Sequence, residues 1–359
     1  MSLKIAIIGC GKIADAHVEE IRKIPSASLV AVCDLEPIMA EQLATRYAVP
    51  RWYTDFAQML EEQKPDVVHI TTPPSSHLPL VRQALAAGAH IFLEKPVAPR
   101  PADVQAILAA ADAANRKLTV NYWPNFEEHA LDLRQRIASG ELGDIVHLES
   151  LYGYDLSGEY GMALRRDPQH WVHRLPGRLL QNVLDHALNK IVPYVADENP
   201  FVHAIAYQAN SDRSQQDGEL LDELRVMIRG GASSAYITFS AHARPVGHRL
   251  RVYGTLNTAT ADFQMRTVTL DRKQGFPSAI GRLAPPFLVA KDYLRQGLRN
   301  TNHFAHARAH YFHGMHRLLS EFYRSIEENA APPIPHAEIL RVARLMDAIF
   351  QQVYPEVAA

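Results

Sequence analysis

The first 122 residues alternate short aliphatic runs with longer stretches whose apolar positions recur every three or four residues. Lys4–Ile8, Ser28–Cys33, Asp66–Thr71, His90–Leu93 and Leu118–Tyr122 read as strands. A helical segment running from Lys12 to a stop before Pro25, then Pro37–Tyr47, Thr54–Gln63, Leu78–Ala87 and Ala102–Asn115, read as helices between them. Nearly continuous apolar runs mark strands buried on both faces, and strands alternating with helices build a parallel, doubly wound sheet. After Tyr122 the rhythm changes. Helical Phe126–Ser139 gives way to strand-like Ile145–Tyr154, Val202–Tyr207, Leu224–Ile228, Ser233–Ser240, Arg249–Tyr253 and a run continuing through Ala259–Leu270. Strands clustered without intervening helices predict a largely antiparallel, open sheet.

The first strand ends in Gly9-Cys10-Gly11-Lys12-Ile13-Ala14, a G-x-G-x-x-A turn leading into a helix. Gly9 permits the tight turn, Gly11 lets backbone approach a pyrophosphate, and Ala14 lets the helix pack against the sheet. The second strand ends on Asp34, twenty residues beyond Ala14, where a carboxylate grips a ribose diol. Such a carboxylate repels a 2′-phosphate, and Leu35 and Glu36 supply no arginine to reverse that. NAD is therefore expected over NADP. The fold class is α/β: an N-terminal Rossmann domain over residues 1–123, then an α+β domain with a largely antiparallel open sheet over 124–359.

Ligands bind at the carboxyl edge of such a sheet. The strand-end loops Thr71–His77 and Glu94-Lys95-Pro96 belong to that edge, so Lys95 is more than a solvated surface lysine. At 359 residues the chain is long enough for two cores. A net charge of −2 gives no electrostatic case for nucleic acid or for an anionic membrane surface. Two cysteines, Cys10 and Cys33, provide neither a disulfide framework nor a thiolate metal site. The apolar run Leu3–Ile8 is too short for a signal-peptide core, and no stretch reaches the ~20 apolar residues that span a bilayer. A cytoplasmic protein is expected.

These motifs carry a resemblance. The G-x-G-x-x-A turn, the Thr72-Pro73-Pro74-x-x-His77 loop and Glu94-Lys95-Pro96 resemble, in order and spacing, the N-terminal domain of the Gfo/Idh/MocA (glucose–fructose oxidoreductase / inositol dehydrogenase) family. "RIASGELGDIVHLES" is similar to that family's passage into its second domain. "RLRVYGTLNTATADF" is similar to its late strand and turn, with Asn257 where glycine is common; asparagine tolerates left-handed backbone. The resemblance implies that Lys95 sits beside the nicotinamide and holds the substrate oxygen, that Lys95–Pro96 is cis, and that Gly9, Gly11, Lys12, Ile13, Ala14, Asp34, Thr72, Pro73, His77 and Glu94 surround the cofactor. It also implies a homodimer or homotetramer built on the second domain's sheet.

In "PGRLLQNVLDHALNKIVPYV" the family's helical histidine falls at His186, but Asn182 replaces its aspartate. Residues 182, 186 and 189 share a helix face, so Asn182, His186 and Asn189 are expected to point together. His186 is the candidate general base, since imidazole titrates near neutral pH. Asp185 lies about 100° round the helix and is a poor substitute for the missing acid. Asn182 is read as orienting substrate. Trp123, Asn125 and Trp171 suit sugar rings through stacking and amide hydrogen bonds; Arg165 or Arg166 suits a nucleotide diphosphate, or else belongs to a solvated loop. Tyr160, Arg166, His170 and His173 stand in the same region.

Late in the chain, His303, His306, His310 and His313 fall within a wedge of about 80° on one helix. No catalytic acid accompanies them, so a solvated or interface stripe is expected rather than a metal site. The helical stretch spanning 275–316 looks added to the family's usual length and suits a lid, an oligomer contact or a membrane-surface helix.

The expected activity is NAD-dependent oxidation at a secondary hydroxyl of a sugar or nucleotide sugar, with Lys95 on the oxygen and His186 as base. One alternative holds NAD tightly and makes no net redox change, passing through a keto intermediate to elimination or epimerisation. Another is a cofactor-sensing binding protein without turnover, which the Asn182 substitution keeps open.

Overall fold

The computed structural model describes residues 2–167, 169–195, 197–209, 220–273, 275, 277–306 and 312–354. The chain forms two compact units, Met1–Trp123 with Gly314–Ala343, and Pro124–His313 with Arg344–Ala359.

The first unit holds strands β1 (Leu3–Ile8), β2 (Ala27–Cys33), β3 (Arg51–Tyr53), β4 (Val67–Ile70), β5 (His90–Leu93) and β6 (Leu118–Val120) in the order β3-β2-β1-β4-β5-β6, all parallel. Helices α1 (Lys12–Ile21), α2 (Pro37–Tyr47), α3 (Phe56–Gln63), α4 (His77–Ala86) and α5 (Pro101–Ala113) connect them. The strand order reverses about β1, which has β2 on one side and β4 on the other. Edge strand β3 has only three residues, too few to show a period, and escaped the sequence reading. Helix α3 starts at Phe56 rather than Thr54, because the Asp55 carboxylate accepts from Gln58 N at 3.1 Å and caps it.

The expectation that residues 124–359 form one domain does not hold. Helix α10 (His313–Glu327) buries Met315, Leu318, Leu319, Phe322 and Tyr323, with the Phe322 ring 5.9 Å from Phe92 of β5. Residues 314–343 thus complete the core of the first unit. Local patterning shows that a helix has an apolar face. It does not show which sheet receives it.

The second unit contains α6 (Glu128–Ala138), β7 (Ile145–Gly153), α7 (Glu159–Arg166), α8 (Arg178–Ile191), β8 (Phe201–Tyr207), β9 (Glu223–Gly230), β10 (Ser233–Ser240), β11 (His248–Gly254), β12 (Asn257–Asp262), β13 (Thr267–Arg272) and α9 (Ser278–Ala305). Its sheet runs β13-β12-β11-β7-β10-β9-β8, antiparallel throughout except for the parallel pair β7/β10. The run expected through Ala259–Leu270 is a hairpin. Asp262 Oδ1 accepts from Gln264 N and Met265 N at 3.0 and 2.9 Å, and Arg266 takes φ 55°, turning β12 into β13. Asn257 is not left-handed; it opens β12, and its side chain donates to Glu141 O at 2.6 Å and accepts from Lys273 N at 3.0 Å. The glycine requirement sits instead at Gly254, where a Cβ would lie 2.0 Å from Leu142 O. A final helix, α11, covers His336–Val353.

The histidine stripe is not one helical face. His303 lies in the last turn of α9, His306 caps it, and His313 begins α10; His310 lies outside the described residues. His303 Nδ1 stands 3.0 Å from the Glu128 carboxylate.

Candidate functional site

The register of the parallel sheet builds the first part of the site. Ile8 pairs with Cys33 and Ile70, Ile70 with Leu93, and Leu93 with Val120. The next residues, Gly9, Asp34, Thr71, Glu94 and Asn121, therefore line one carboxyl edge. Gly9 has φ +97°, and a Cβ there would come within 2.8 Å of Thr71 C and the Thr72 backbone. Only glycine fits. Thr71 Oγ1 donates to Gly9 O at 2.5 Å and fastens the two loops. At Gly11, the residue before α1, a Cβ would meet nothing within 4 Å, so backbone is open to an approaching group. Ala14 is fully buried; Lys12 is exposed and Ile13 half-buried.

Asp34 takes Cys10 N on Oδ2 at 2.6 Å and Glu36 N on Oδ1 at 2.9 Å. Two backbone donors thus fix the carboxylate plane beside the glycine turn and leave lone pairs for a diol. An open helix start, a glycine cradle and an oriented acid fit a dinucleotide. Burial, reinforced by Asp34, pushes the Cys10 thiol well up, so it is an inert neighbour rather than a nucleophile.

Behind Lys95 lies a buried polar chain. Glu94 Oε1 stands 2.8 Å from His17 Nε2 and accepts from Asn121 Nδ2 at 2.5 Å, while Oε2 accepts from Lys95 N at 3.1 Å. Burial alone would raise the Glu94 pKa, but hydrogen bonds from His17 and Asn121, with the His17 and Lys95 charges, bring it below the usual carboxylate value. His17 Nδ1 meets His69 Nδ1 at 2.8 Å, and His69 Nε2 meets Tyr323 OH at 2.7 Å. With Glu94 ionised, one direction satisfies every atom in the chain: Tyr323 donates to His69, His69 to His17, and His17 to Glu94. Lys95 itself is half-buried, and the bond to Pro96 is cis. His77 is fully buried with Nδ1 2.9 Å from Val97 O and Nε2 2.8 Å from Thr72 O. It ties the Thr72-Pro73 loop to the Lys95-Pro96 loop. Thr72 is half-buried and Pro73 exposed.

In the second unit, every residue of α8 from Leu179 to Ile191 is buried except His186. The helix has no solvent face, only that opening. The His186 ring stacks on Tyr152 with centroids 5.2 Å apart. Asn189, on the same face, is 3% exposed, and neither Oδ1 nor Nδ2 of its amide has a hydrogen-bond partner; Asn182 is 8% exposed. Asn125 Nδ2 donates to Asn189 O at 3.2 Å, using one of its two N–H groups within the protein. Trp123 and Trp171 are half-buried, and Trp171 stacks on His170. His173 Nε2 stands 2.9 Å from Leu164 O. The side chains of Tyr160 and Arg165 lie outside the described residues.

Residues 3–122 match the model of the oxidoreductase family with an NAD-binding Rossmann fold. Over that first third, the chain is similar to the Gfo/Idh/MocA oxidoreductases. It is 33% identical over 144 residues to D-glucoside 3-dehydrogenase of Escherichia coli, covering 40% of this chain and 41% of that protein. It is 24% identical over 277 residues to inositol 2-dehydrogenase of Rhizobium meliloti, covering 77% and 80%. The chain thus spans about two fifths of the first relative's length and four fifths of the second's. A solved structure of levoglucosan dehydrogenase, complexed with NADH and levoglucosan, shares the fold with a TM-score of 0.79 at 18% identity, over 99% of this chain and 98% of that one.

Sequence reasoning missed Lys190, one turn beyond His186. Its ammonium nitrogen is buried, donates to His186 O, meets His248 Nε2, and lies 4.6 Å from the Phe263 ring centroid. Burial drives its pKa well below the usual lysine value. The available signal was its position four residues after His186 on a helix without a polar face. His17, His69 and Tyr323 were missed too, because they are distant in sequence and meet only through the sheet.

Proposed function

We propose that this protein is a Gfo/Idh/MocA-type, NAD-dependent oxidoreductase acting on a secondary hydroxyl of a sugar or nucleotide sugar. The observation that carries the reading is the carboxyl edge of the first sheet, where the glycine turn, Asp34, Thr72 and Lys95 stand on adjacent strand ends. Asp34 would hold the adenosine ribose, and Gly11 with the start of α1 would take the pyrophosphate. NAD bound there supplies the hydride acceptor. Lys95 would hold the reacting oxygen and stabilise its alkoxide character, the kind of electrostatic help that is often the largest catalytic term. His186 would take the hydroxyl proton. The unsatisfied amide of Asn189, with Asn182 beside it, would bind neighbouring hydroxyls, since buried amides are seldom left without partners. Trp123, Trp171, Asn125 and Arg165 are the other proposed substrate contacts. Relatives named for a D-glucoside and inositol, and a neighbour holding levoglucosan, support a polyhydroxylated ring.

The test is incubation of purified protein with NAD and a panel of sugars, glycosides and nucleotide sugars. Absorbance of reduced cofactor is followed together with product chromatography. Free NADH is the expected result. Product without NADH would move the reading to a reaction with no net redox change. Binding without either would make the protein a sensor, the alternative that Asn182 in place of aspartate keeps open.

A further inference from the structure

Helix α9 carries two opposed faces. Its inner face is settled by contacts: the Gln296 side chain bonds both Val268 N and Val268 O, Asp292 accepts from Arg272 at 3.2 Å, and Asn300 donates to Met265 O at 3.0 Å. At 100° per residue, Ile280, Leu283, Phe287, Leu294 and Leu298 fall within a wedge of about 60° directly opposite Gln296. These five side chains are 51% to 75% exposed. From Ile280 to Leu298 the stripe runs roughly 27 Å at 1.5 Å per residue. Exposed Lys291 and Arg295 border it. The only acid of α9, Asp292, is turned inward onto Arg272.

We propose that α9 is an in-plane docking helix for an anionic lipid surface. Leucines and a phenylalanine on one face, bordered by basic residues, make the pattern of a helix that lies in the headgroup boundary with its apolar side sunk ~5–10 Å. No helix of the described residues is long and apolar enough to cross a membrane, so the protein rests on the bilayer. Charge decides between lipid and a second copy of the helix. A second copy would set Lys291 and Arg295 against a face that also carries only cations. Lipid phosphates answer both cations. The net charge of −2 for the whole chain does not oppose this, because attraction to a surface decays within about 10 Å and depends on the charges facing it. The inference is independent of the proposed activity.

Flotation of the full-length protein with phosphatidylcholine vesicles, with and without phosphatidylglycerol, tests it. Binding is expected to the phosphatidylglycerol vesicles and should weaken as salt is raised. Lys291→Gln with Arg295→Gln should lower the affinity roughly 10- to 30-fold, the effect of two surface-facing cations. Leu294→Glu with Leu298→Glu should abolish flotation while leaving the thermal midpoint in place, since both side chains are exposed. Lack of flotation by the unaltered protein with either vesicle overturns the proposal. So does an oligomer, measured by light scattering, that the Leu294→Glu/Leu298→Glu variant dissociates without any lipid binding by the unaltered chain; a second copy would then cover the stripe.

Discussion

His17 on α1 and His69 on β4 share a 2.8 Å hydrogen bond between their Nδ1 atoms, and neither side chain has any solvent exposure. One ring must donate and the other accept, so at least one of the two must be neutral. Burial, and then the neighbouring His17, keep His69 well below the usual histidine pKa. The pair links Tyr323, from the late part of the chain, to Glu94 at the base of Lys95. It is a long-range clamp.

Breaking the clamp should cost stability in proportion to the groups left unpaired. His69→Phe strands the Tyr323 hydroxyl and His17 Nδ1, and each buried orphan costs about 1–3 kcal/mol. The expected loss in denaturant unfolding is ~2–5 kcal/mol. Tyr323→Phe strands only His69 Nε2 and should cost less. Equal and negligible losses in both variants would count against the assigned hydrogen-bond direction.

Acid should destabilise the fold before its carboxylates titrate. Burial first, with Arg116 and Lys117 behind it, lowers His90 from 6.5 to about 4; burial with Arg266, Arg299 and Lys190 lowers His129 from 6.5 to about 3. Below pH 6.5 the unfolded chain binds protons at these two histidines that the folded chain refuses, so they cost no stability above that pH. Stability drains as pH falls toward 4, and further toward 3. Melting curves between pH 7.5 and 4.5 should show the midpoint falling from about pH 6.5 downward.

Lys190 is a buried amine whose charged form the fold disfavours. The unfolded chain protonates it below 10.5, so the stability it costs grows as pH falls below that value. Lys190→Met keeps the volume and removes the penalty, as buried ionic groups often allow. The variant should melt at or above the unaltered midpoint at pH 7. A midpoint lowered by several degrees would show that the bonds to His186 O and His248 outweigh desolvation.

Asp34 should set cofactor choice. NAD is expected to bind more tightly than NADP, and Asp34→Ser with Leu35→Arg should reverse the order, since Leu35 is largely exposed and an arginine there can reach a 2′-phosphate. Fluorescence titration with both reduced cofactors decides it. Lys95→Met should melt close to the unaltered protein and lose at least ~10²-fold in turnover, the scale of one lost electrostatic donor.

Asn182→Asp returns a carboxylate to the face of α8 that carries His186. A negative neighbour favours the imidazolium. The rise of kcat/KM with pH, which reports deprotonation of the base, should therefore move to higher pH. An unchanged profile would remove His186 from the role of general base.

The sequence by itself determined whatever depends on local spacing. A strand, a glycine turn and a helix at Lys4–Ile21 admit one backbone path, and Asp34 follows at the separation that a βαβ unit imposes. The same holds for His186 and Asn182, which share a face because four residues make about one turn. Tertiary structure decided what depends on which surfaces meet. Helix α10 has an apolar face that either sheet might have received, and only packing placed Tyr323 on His69. Asn257 carries a side chain suited to left-handed backbone, yet its hydrogen bonds to Glu141 and Lys273 make extended backbone the better solution. Lys190 is charged in any pattern, but a helix enclosed on every side turned it into a buried amine. The five apolar residues of α9 have the spacing of a core helix. The sheet took the opposite face through Gln296, and so left them outside.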